Sequence, residues 1–547
     1  MAQQDDFDPY AVRKPAGGKA RKPQTQTGSR AIRAVFETAR RQLEEEQPPF
    51  DPDPHEPREG IRPGLWDGFP HDSLPPGCPV HVIGTDVNGT VYLRTARGLL
   101  RAVEKWDMPT LTELFAPQVN FLFWAWPGWG KKKVIEDGEE KEKRVINRVE
   151  RDKAMMCLIN AASRRPLFDP ARQHRGRGGW ADKAGQYLWH SGGWLWKVEG
   201  GRLTRARPSE HDGMLYTRQA DTIEPWDTSV NAEESPAKRI LEDFRTWKWE
   251  RPYLDPILCL GWLATSLMGA ALKTRPVIFT TGGAGVGKTT LREVFRNVLD
   301  GAVFAVADTT AAGIYQHMRN DALMVLVDEL ENKPGSTKAQ AVIDLARIAY
   351  SGDDMARGGQ DHEGVQFKMY ASFMFSAINP PAMTDADRSR MAILNLQRLD
   401  APNGIGRKLV VKDTDGRMIL RQVMDGWEDF NRRIMPRWWE ELAKHGFDSR
   451  DLDTYVTLLA AAELLVGPEA LEDVGLPIAD PGHLGELIAE ATRPARAERL
   501  DNWHKCLNHL LDGTIDAWRD GVRPTVGGVM EQLATDELDL KFAQQRL

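Results

Sequence analysis

Cysteine is scarce in this chain: there are four in 547 residues, Cys78, Cys157, Cys259 and Cys506, and no two of them form a C-x-x-C pair. That spacing excludes a disulfide framework and a structural zinc held by paired cysteines. An uninterrupted apolar run near the roughly 18 residues of a membrane span is missing, so no membrane partner is expected. No apolar stretch follows the acidic start, Met1 to Pro9, so a secretory leader is not expected either. Neither charge is in large excess: 72 Lys and Arg stand against 79 Asp and Glu, a net charge of -7. This excludes a polycation of the histone type and makes any nucleic-acid contact a local matter. What remains, 41% hydrophobic and 28% charged residues with a mean hydropathy of -0.47, is a globular composition long enough for several domains and a large core. The expected location is the cytoplasm of a bacterium or of an infected host cell.

Charge is nonetheless patterned. Between Arg13 and Arg41 nine basic residues face the single acid Glu37, and between Glu44 and Glu59 seven acids face Arg58. With the proline-rich stretch before Gly60, this makes residues 1–60 a charged tail and linker, a solvated segment or one that touches a nucleic-acid backbone. Residues 61–225 carry short β-like runs (Val80 to Ile83, Thr90 to Arg94, Gln186 to His190, Trp194 to Val198) separated by Gly, Pro and Asp, with interleaved helices such as Arg151 to Ser163. They read as an N-terminal α+β domain. Ser191-Gly192-Gly193 is a hairpin turn, and Lys131 to Arg144, a lysine and glutamate run, is an exposed loop. The domain is rich in tryptophan, including Trp124, Trp126, Trp129, Trp189, Trp194 and Trp196. Such rings pack cores and hairpins more often than they stack on bases. Residues 226–272 form a helical collar, 273–400 carry the chemistry, and 401–547 read as a helical C-terminal domain whose last stretch, from Thr525, suggests part of a winged helix.

The motif that carries chemistry is Gly282-Gly283-Ala284-Gly285-Val286-Gly287-Lys288-Thr289, a full G-x-x-x-x-G-K-T match between an apolar strand and an amphipathic helix that opens at Thr290. Glycines let backbone N–H groups wrap phosphates at a helix N-terminus, a lysine reaches the β and γ phosphates, and the threonine hydroxyl ligates Mg2+. Leu323 to Val327 then forms a strand ending in Asp328-Glu329. Asp328 suits the Mg2+ shell, and Glu329 suits the polarisation of an attacking water. A nucleotide kinase has no need of that acidic pair. A third strand, Ser372 to Ile378, ends at Asn379 before two prolines, where an amide can hydrogen-bond both phosphate and water. Arg388 and Arg390 follow, just ahead of another apolar strand; an arginine there can reach phosphate in a neighbouring subunit, and Arg390 is favoured.

In order and spacing these parts resemble the superfamily 3 helicases, and most of all the primase-helicase proteins of phages, plasmids and poxviruses. The likeness spans Thr274 to Leu399 and is weaker around Gly176 to Val198. It implies an α/β fold with a P-loop AAA+ motor, a homo-oligomeric ring, most often a hexamer, and ATP with Mg2+ as substrate and cofactor. It further implies single-stranded DNA in the pore and a role in replication of a phage or mobile element. In that family a β-hairpin between the acidic strand and the asparagine strand grips DNA. Gly352 to Phe367 matches it here, with Arg357, His362 and Lys368 as candidate contacts, although Asp361 stands where many relatives carry lysine. No zinc motif or D-x-D triad marks a primase, so priming falls to a separate partner. The other function class compatible with these motifs is a regulatory or anti-phage AAA+ ATPase that oligomerises on ATP without unwinding.

Overall fold

Four short runs without a single charged side chain, Val277–Thr281, Met324–Val327, Ser372–Ala377 and Met391–Asn395, join Val303–Val306 in one five-stranded sheet. In the computed structural model the described residues are 58–136, 139–231, 233–307, 309–331, 337–358, 364–398 and 411–497, with short pieces at 507, 510–511, 525–535 and 540–541. Every pairing in that sheet is parallel: Ile278 lies beside Met374, Val327 beside Phe375 and Val277 beside Met391. Parallel strands are covered on both faces, which is why these runs carry no charge and show no polar alternation. The strand order is Val303–Val306, Met324–Val327, Ser372–Ala377, Val277–Thr281, Met391–Asn395. Helices Lys288–Val298, Ala311–Met318 and Lys338–Ser351 make the connections.

Between helix Lys338–Ser351 and strand Ser372–Ala377 the chain forms an antiparallel pair, Asp354–Gly358 with Gly364–Lys368, Arg357 standing opposite Val365. Its base is built around Arg275. That guanidinium is fully buried and faces carbonyls instead of a carboxylate: it donates to Leu272 O (2.8 Å), Ala349 O (2.6 Å) and Tyr350 O (3.0 Å) and lies against the Tyr370 ring. Burial lowers its pKa to about 10, which leaves it charged at neutral pH. A cation on the last carbonyls of a helix opposes the negative end of its dipole.

Contacts divide the chain into two compact units. One holds the described residues up to Pro79 with Asp107–Cys157, the other Val80–Trp106 with Leu158–Leu547. In the first, tryptophans fill the core and satisfy their N–H groups on carbonyls: Trp66 on Ala125 (2.8 Å), Trp124 on Ile61 (3.1 Å) and Trp126 on Pro70 (3.1 Å). The lysine and glutamate run is not a loop. It forms a long hairpin, Pro127–Glu136 with Glu139–Val149, in which Lys131 pairs with Glu142 (2.8 Å) and Lys133 with Glu140 (3.0 Å). Opposite charges on diagonal cross-strand positions replace the apolar alternation by which a strand is usually recognised.

In the second unit the expected turn at Ser191 to Gly193 does join two antiparallel strands, Tyr187–His190 and Leu195–Glu199, inside a four-stranded sheet. This region is tied to the entrance of the acidic strand, because Arg177 grips Asp321 with two nitrogens (2.6 and 3.1 Å) and Gly178 bridges Ala322. Helix Asp255–Met268 is buried along its whole length. It crosses helix Ser449–Val474 so closely that a Cβ on Gly261 would lie 1.9 Å from the Leu458 carbonyl oxygen. Ser449–Val474 has the length and composition to cross a membrane, yet 72% of its apolar window is buried against the rest of the protein.

One half-buried histidine yields a pH test. His174 sits between the Thr217 hydroxyl (2.8 Å) and the Asn320 amide (2.9 Å), and burial followed by the nearby His190 lowers its pKa from 6.5 to about 4. Between those values only the unfolded chain takes the proton, so this contribution to stability is complete above 6.5 and is lost as the pH falls through the window. The loss amounts to about 2 kcal/mol near pH 5. Thermal unfolding of wild type and His174→Gln across this range checks it: the wild type should fall more steeply on acidification, and parallel curves would contradict the assignment.

Candidate functional site

The strand Ser372–Ala377 lies directly between Val277–Thr281 and Met324–Val327. Three carboxyl ends therefore open side by side at strand spacings of about 4.8 Å, and ligands of parallel α/β sheets bind beyond that edge. The glycine loop leaves the first strand, Asn379 follows the second, and Asp328 and Glu329 follow the third. Between them is a cavity of about 680 Å³ bordered by Ala284, Gly285, Val286, Gly287, Lys288, Thr289 and Thr290 on one side and by Asp328, Glu329 and Asn379 on the other. A cavity of this volume is within the range of small-molecule sites.

Local sterics shape the loop. Gly287, at φ +93, is the cap of helix Lys288–Val298, and a Cβ there would lie 2.7 Å from the Trp247 indole nitrogen, which donates to the Gly287 carbonyl at 3.1 Å. Gly282, at φ +144, passes 2.3 Å from the Leu396 carbonyl oxygen by the same measure. Side chains are thus excluded where the backbone turns. The N–H groups of the first helical turn have no intrahelical acceptor and face the anion-attracting end of the helix dipole. Lys288 donates its ammonium to Gly282 O (2.6 Å) and Gly283 O (3.0 Å). Burial lowers its pKa, and Glu331 and Asp328 work in the opposite direction.

Asp328 is fixed from three sides. Its Oδ1 accepts from the Ser376 hydroxyl and from the Glu329 N–H (3.1 Å), and Oδ2 pairs with Arg292 (2.8 Å). Glu329 has a left-handed backbone, φ +53, and an exposed side chain on the cavity wall. A non-glycine residue held in that region marks a place where the surrounding structure overrides local preference. Glu331 accepts the N–H groups of Ile378 (2.5 Å) and Asn379 (3.0 Å), which ties the asparagine strand end to the acidic one. The Thr289 hydroxyl and the Asp328 carboxylate are hard oxygen donors on one cavity. That pair fits a Mg2+ ion, which takes one or two protein ligands and completes its shell with phosphate and water.

Arg292, Ser376, Glu331 and Trp247 are absent from the sequence-level site. Arg292 had a signal, since it is one helical turn beyond Thr289, and Ser376 had another as a polar residue in an apolar strand. Trp247 had none, being 40 residues from the carbonyl it holds.

The arginines lie elsewhere. Val277 donates to Arg390 O at 3.2 Å, so Arg390 stands at the amino ends of strands whose carboxyl ends carry the cavity, about 16 Å away at 3.3 Å per residue. Within one chain it does not reach the site. It donates to Ala386 O (2.5 Å) and lies over the Tyr350 ring, while its Nε is buried with no partner among the described residues. Burial and then Arg450 lower its pKa. Arg388 ends the short helix Asp385–Arg388, whose start is closed by a capping box between Thr384 and Asp387. Lys368 ends the hairpin strand and is half-buried. Arg357 belongs to a described strand but its side chain is outside the described set, and His362 is outside the described residues altogether.

The glycine geometry gives a direct check. Gly287→Ala should destabilise the protein by about 1–2 kcal/mol through the left-handed penalty alone, with more from the clash with Trp247. Gly283→Ala, which meets nothing within 4 Å, should be neutral. Apparent melting temperatures of the two variants decide it, and equal effects would contradict the loop conformation.

No protein-family model matches the chain, and no curated protein matches it. Among solved structures it is similar to the apo structure of the NrS-1 C terminal region (305-718), at 12% identity and a TM-score of 0.30, covering 67% of this chain and 81% of that one. Two A form apo structures of the same region match at 12% and 11% identity with TM-scores of 0.24 and 0.27. Each covers 53% of this chain and 88% or 87% of its own. A likeness this distant carries no argument about function.

Proposed function

We propose that the protein is an ATP-hydrolysing, ring-forming DNA helicase or translocase with a P-loop AAA+ motor, acting in replication of a phage or mobile genetic element. The observation that supports it is the convergence of Gly285, Gly287, Lys288, Thr289, Asp328, Glu329 and Asn379 on one cavity at adjacent strand ends. In this reading the loop N–H groups and the helix N-terminus bind the phosphates of ATP. Lys288 exchanges two neutral backbone acceptors for the anionic oxygens of the β and γ phosphates, so that both partners of the bond are charged. Thr289 and Asp328 hold Mg2+, which when bound offsets the negative charge of the phosphates. Glu329 orients water and takes its proton, and Asn379 touches the terminal phosphate.

Because Arg390 stands at the far edge of its own sheet, it acts from a neighbouring chain, with Arg388 beside it. This requires a homo-oligomeric ring, which in this reading is a hexamer. The hairpin Asp354–Gly358 with Gly364–Lys368 connects the helix after the acidic strand to the asparagine strand. It is therefore placed to convert the state of the site into movement of DNA in a pore.

Three variants test the assignment. Lys288→Ala should abolish nucleotide binding measured by calorimetry. Glu329→Gln should keep binding and lose at least 100-fold in turnover, the usual scale for a lost general base. Mixing Arg390→Ala with Glu329→Gln protein should recover part of the activity, because some interfaces then pair an intact glutamate with an intact arginine. No recovery in mixed rings would contradict action between subunits. Turnover without separation of a forked duplex would favour the regulatory AAA+ assembly instead.

A further inference from the structure

The edge strand of the four-stranded sheet, Arg202–Ala206, pairs only with Leu195–Glu199 among the described residues. Its register sets Arg205 opposite Trp196, and strand alternation puts Arg207 and Trp194 on that same face. The Arg205 guanidinium lies 4.2 Å from the Trp194 ring centre and 5.6 Å from that of Trp196, and the Arg207 guanidinium lies 3.8 Å from Trp194. Trp196 is buried and anchored through its N–H to the Ser191 hydroxyl (3.0 Å), whereas Trp194 is half-exposed. Nearby, Arg417 lies over Trp226 at 5.2 Å.

Arg202, Arg205 and Arg207 are exposed, and among the described residues none has a carboxylate within ion-pair distance. Their acidic surroundings are Glu199, across from Arg202, then Glu224 beside Arg205 and Arg417, and Asp227 at 4.0 Å from Arg417. Two guanidiniums gathered on one indole repel each other; Glu224 attracts Arg205, but among the described residues no carboxylate is in ion-pair contact with either. A charged edge by itself protects a sheet from pairing with another, but that purpose needs neither arginine nor an aromatic platform. Planar forked cations stacked on an indole are the combination that binds phosphates and unpaired bases together.

From this arrangement we propose that Trp194 with Arg202, Arg205 and Arg207 forms a docking surface for single-stranded nucleic acid, separate from the nucleotide cavity and from the hairpin. A single strand is favoured over a duplex because stacking on a ring or a guanidinium plane requires bases free of their partners. Arg205 and Arg207 contact phosphates and stack, Trp194 supports them, and recognition is tolerant of sequence. The surface does not depend on ATP, so it stands or falls independently of the ATPase reading.

The test is fluorescence anisotropy of the full chain without nucleotide, against labelled 20-mer oligo(dT) and oligo(U), from 50 to 200 mM salt. Arg205→Ser with Arg207→Ser should weaken binding at least tenfold and flatten the log–log salt slope by about 1.4, at about 0.7 per phosphate contact on a single strand. Arg205→Lys with Arg207→Lys should keep the slope but lose affinity, separating stacking from charge. Lys288→Ala should bind as wild type does. Absence of wild-type binding at 50 mM salt, a double serine variant within twofold of wild type at unchanged melting temperature, or equal competition by oligoglutamate would each overturn the proposal.

Discussion

Placing one strand, Ser372–Ala377, between the glycine-loop strand and the acidic strand is the constraint on which the site depends. With one strand interposed, the two lie about 9–10 Å apart across the sheet, and the middle strand contributes from its own end. Ser376 holds Asp328 from within the sheet, and the Asn379 N–H is held by Glu331. The acidic group and the asparagine are therefore linked through the backbone pairing of their strands and again through side-chain hydrogen bonds, so a shift at one is felt at the other.

A second consequence of the same topology concerns Arg275. It precedes the glycine-loop strand, and its guanidinium binds the end of helix Lys338–Ser351 and the ring of Tyr370, the two points where the hairpin is rooted. Removing a buried cation from three carbonyls costs more than a surface contact, because Leu272 O and Ala349 O then lose the donor that holds them in the interior, while Tyr350 O keeps only the Arg275 backbone N–H. The base of the hairpin is thus joined to the base of the loop strand by a rigid element rather than by a flexible linker. In the proposed cycle this is the physical connection between nucleotide and DNA.

Much of the central sheet was legible in the sequence because its signals are local: an apolar run before glycines, an apolar run before two acids, an apolar run before asparagine and proline. Each motif occupies a few consecutive residues. The supports were not legible for the opposite reason. Trp247 reaches Gly287, Ser376 reaches Asp328 and Arg177 reaches Asp321 across 40, 48 and 144 positions, and no periodicity encodes such a contact. The hairpin Pro127–Glu136 with Glu139–Val149 escaped because its middle is a run of lysine and glutamate with no apolar alternation, so the pairing there is written in charge. The charged blocks up to residue 57 and the hairpin tip around His362 are outside the described residues.

The measurement that bears most directly on the central claim is steady-state release of inorganic phosphate from ATP by the full chain, with Mg2+ present or chelated and with or without single-stranded DNA. The account predicts release that saturates with ATP, requires Mg2+ and accelerates when DNA is added. Release that is absent with Mg2+ and DNA both present, or that is indifferent to DNA at every ATP concentration, would contradict it.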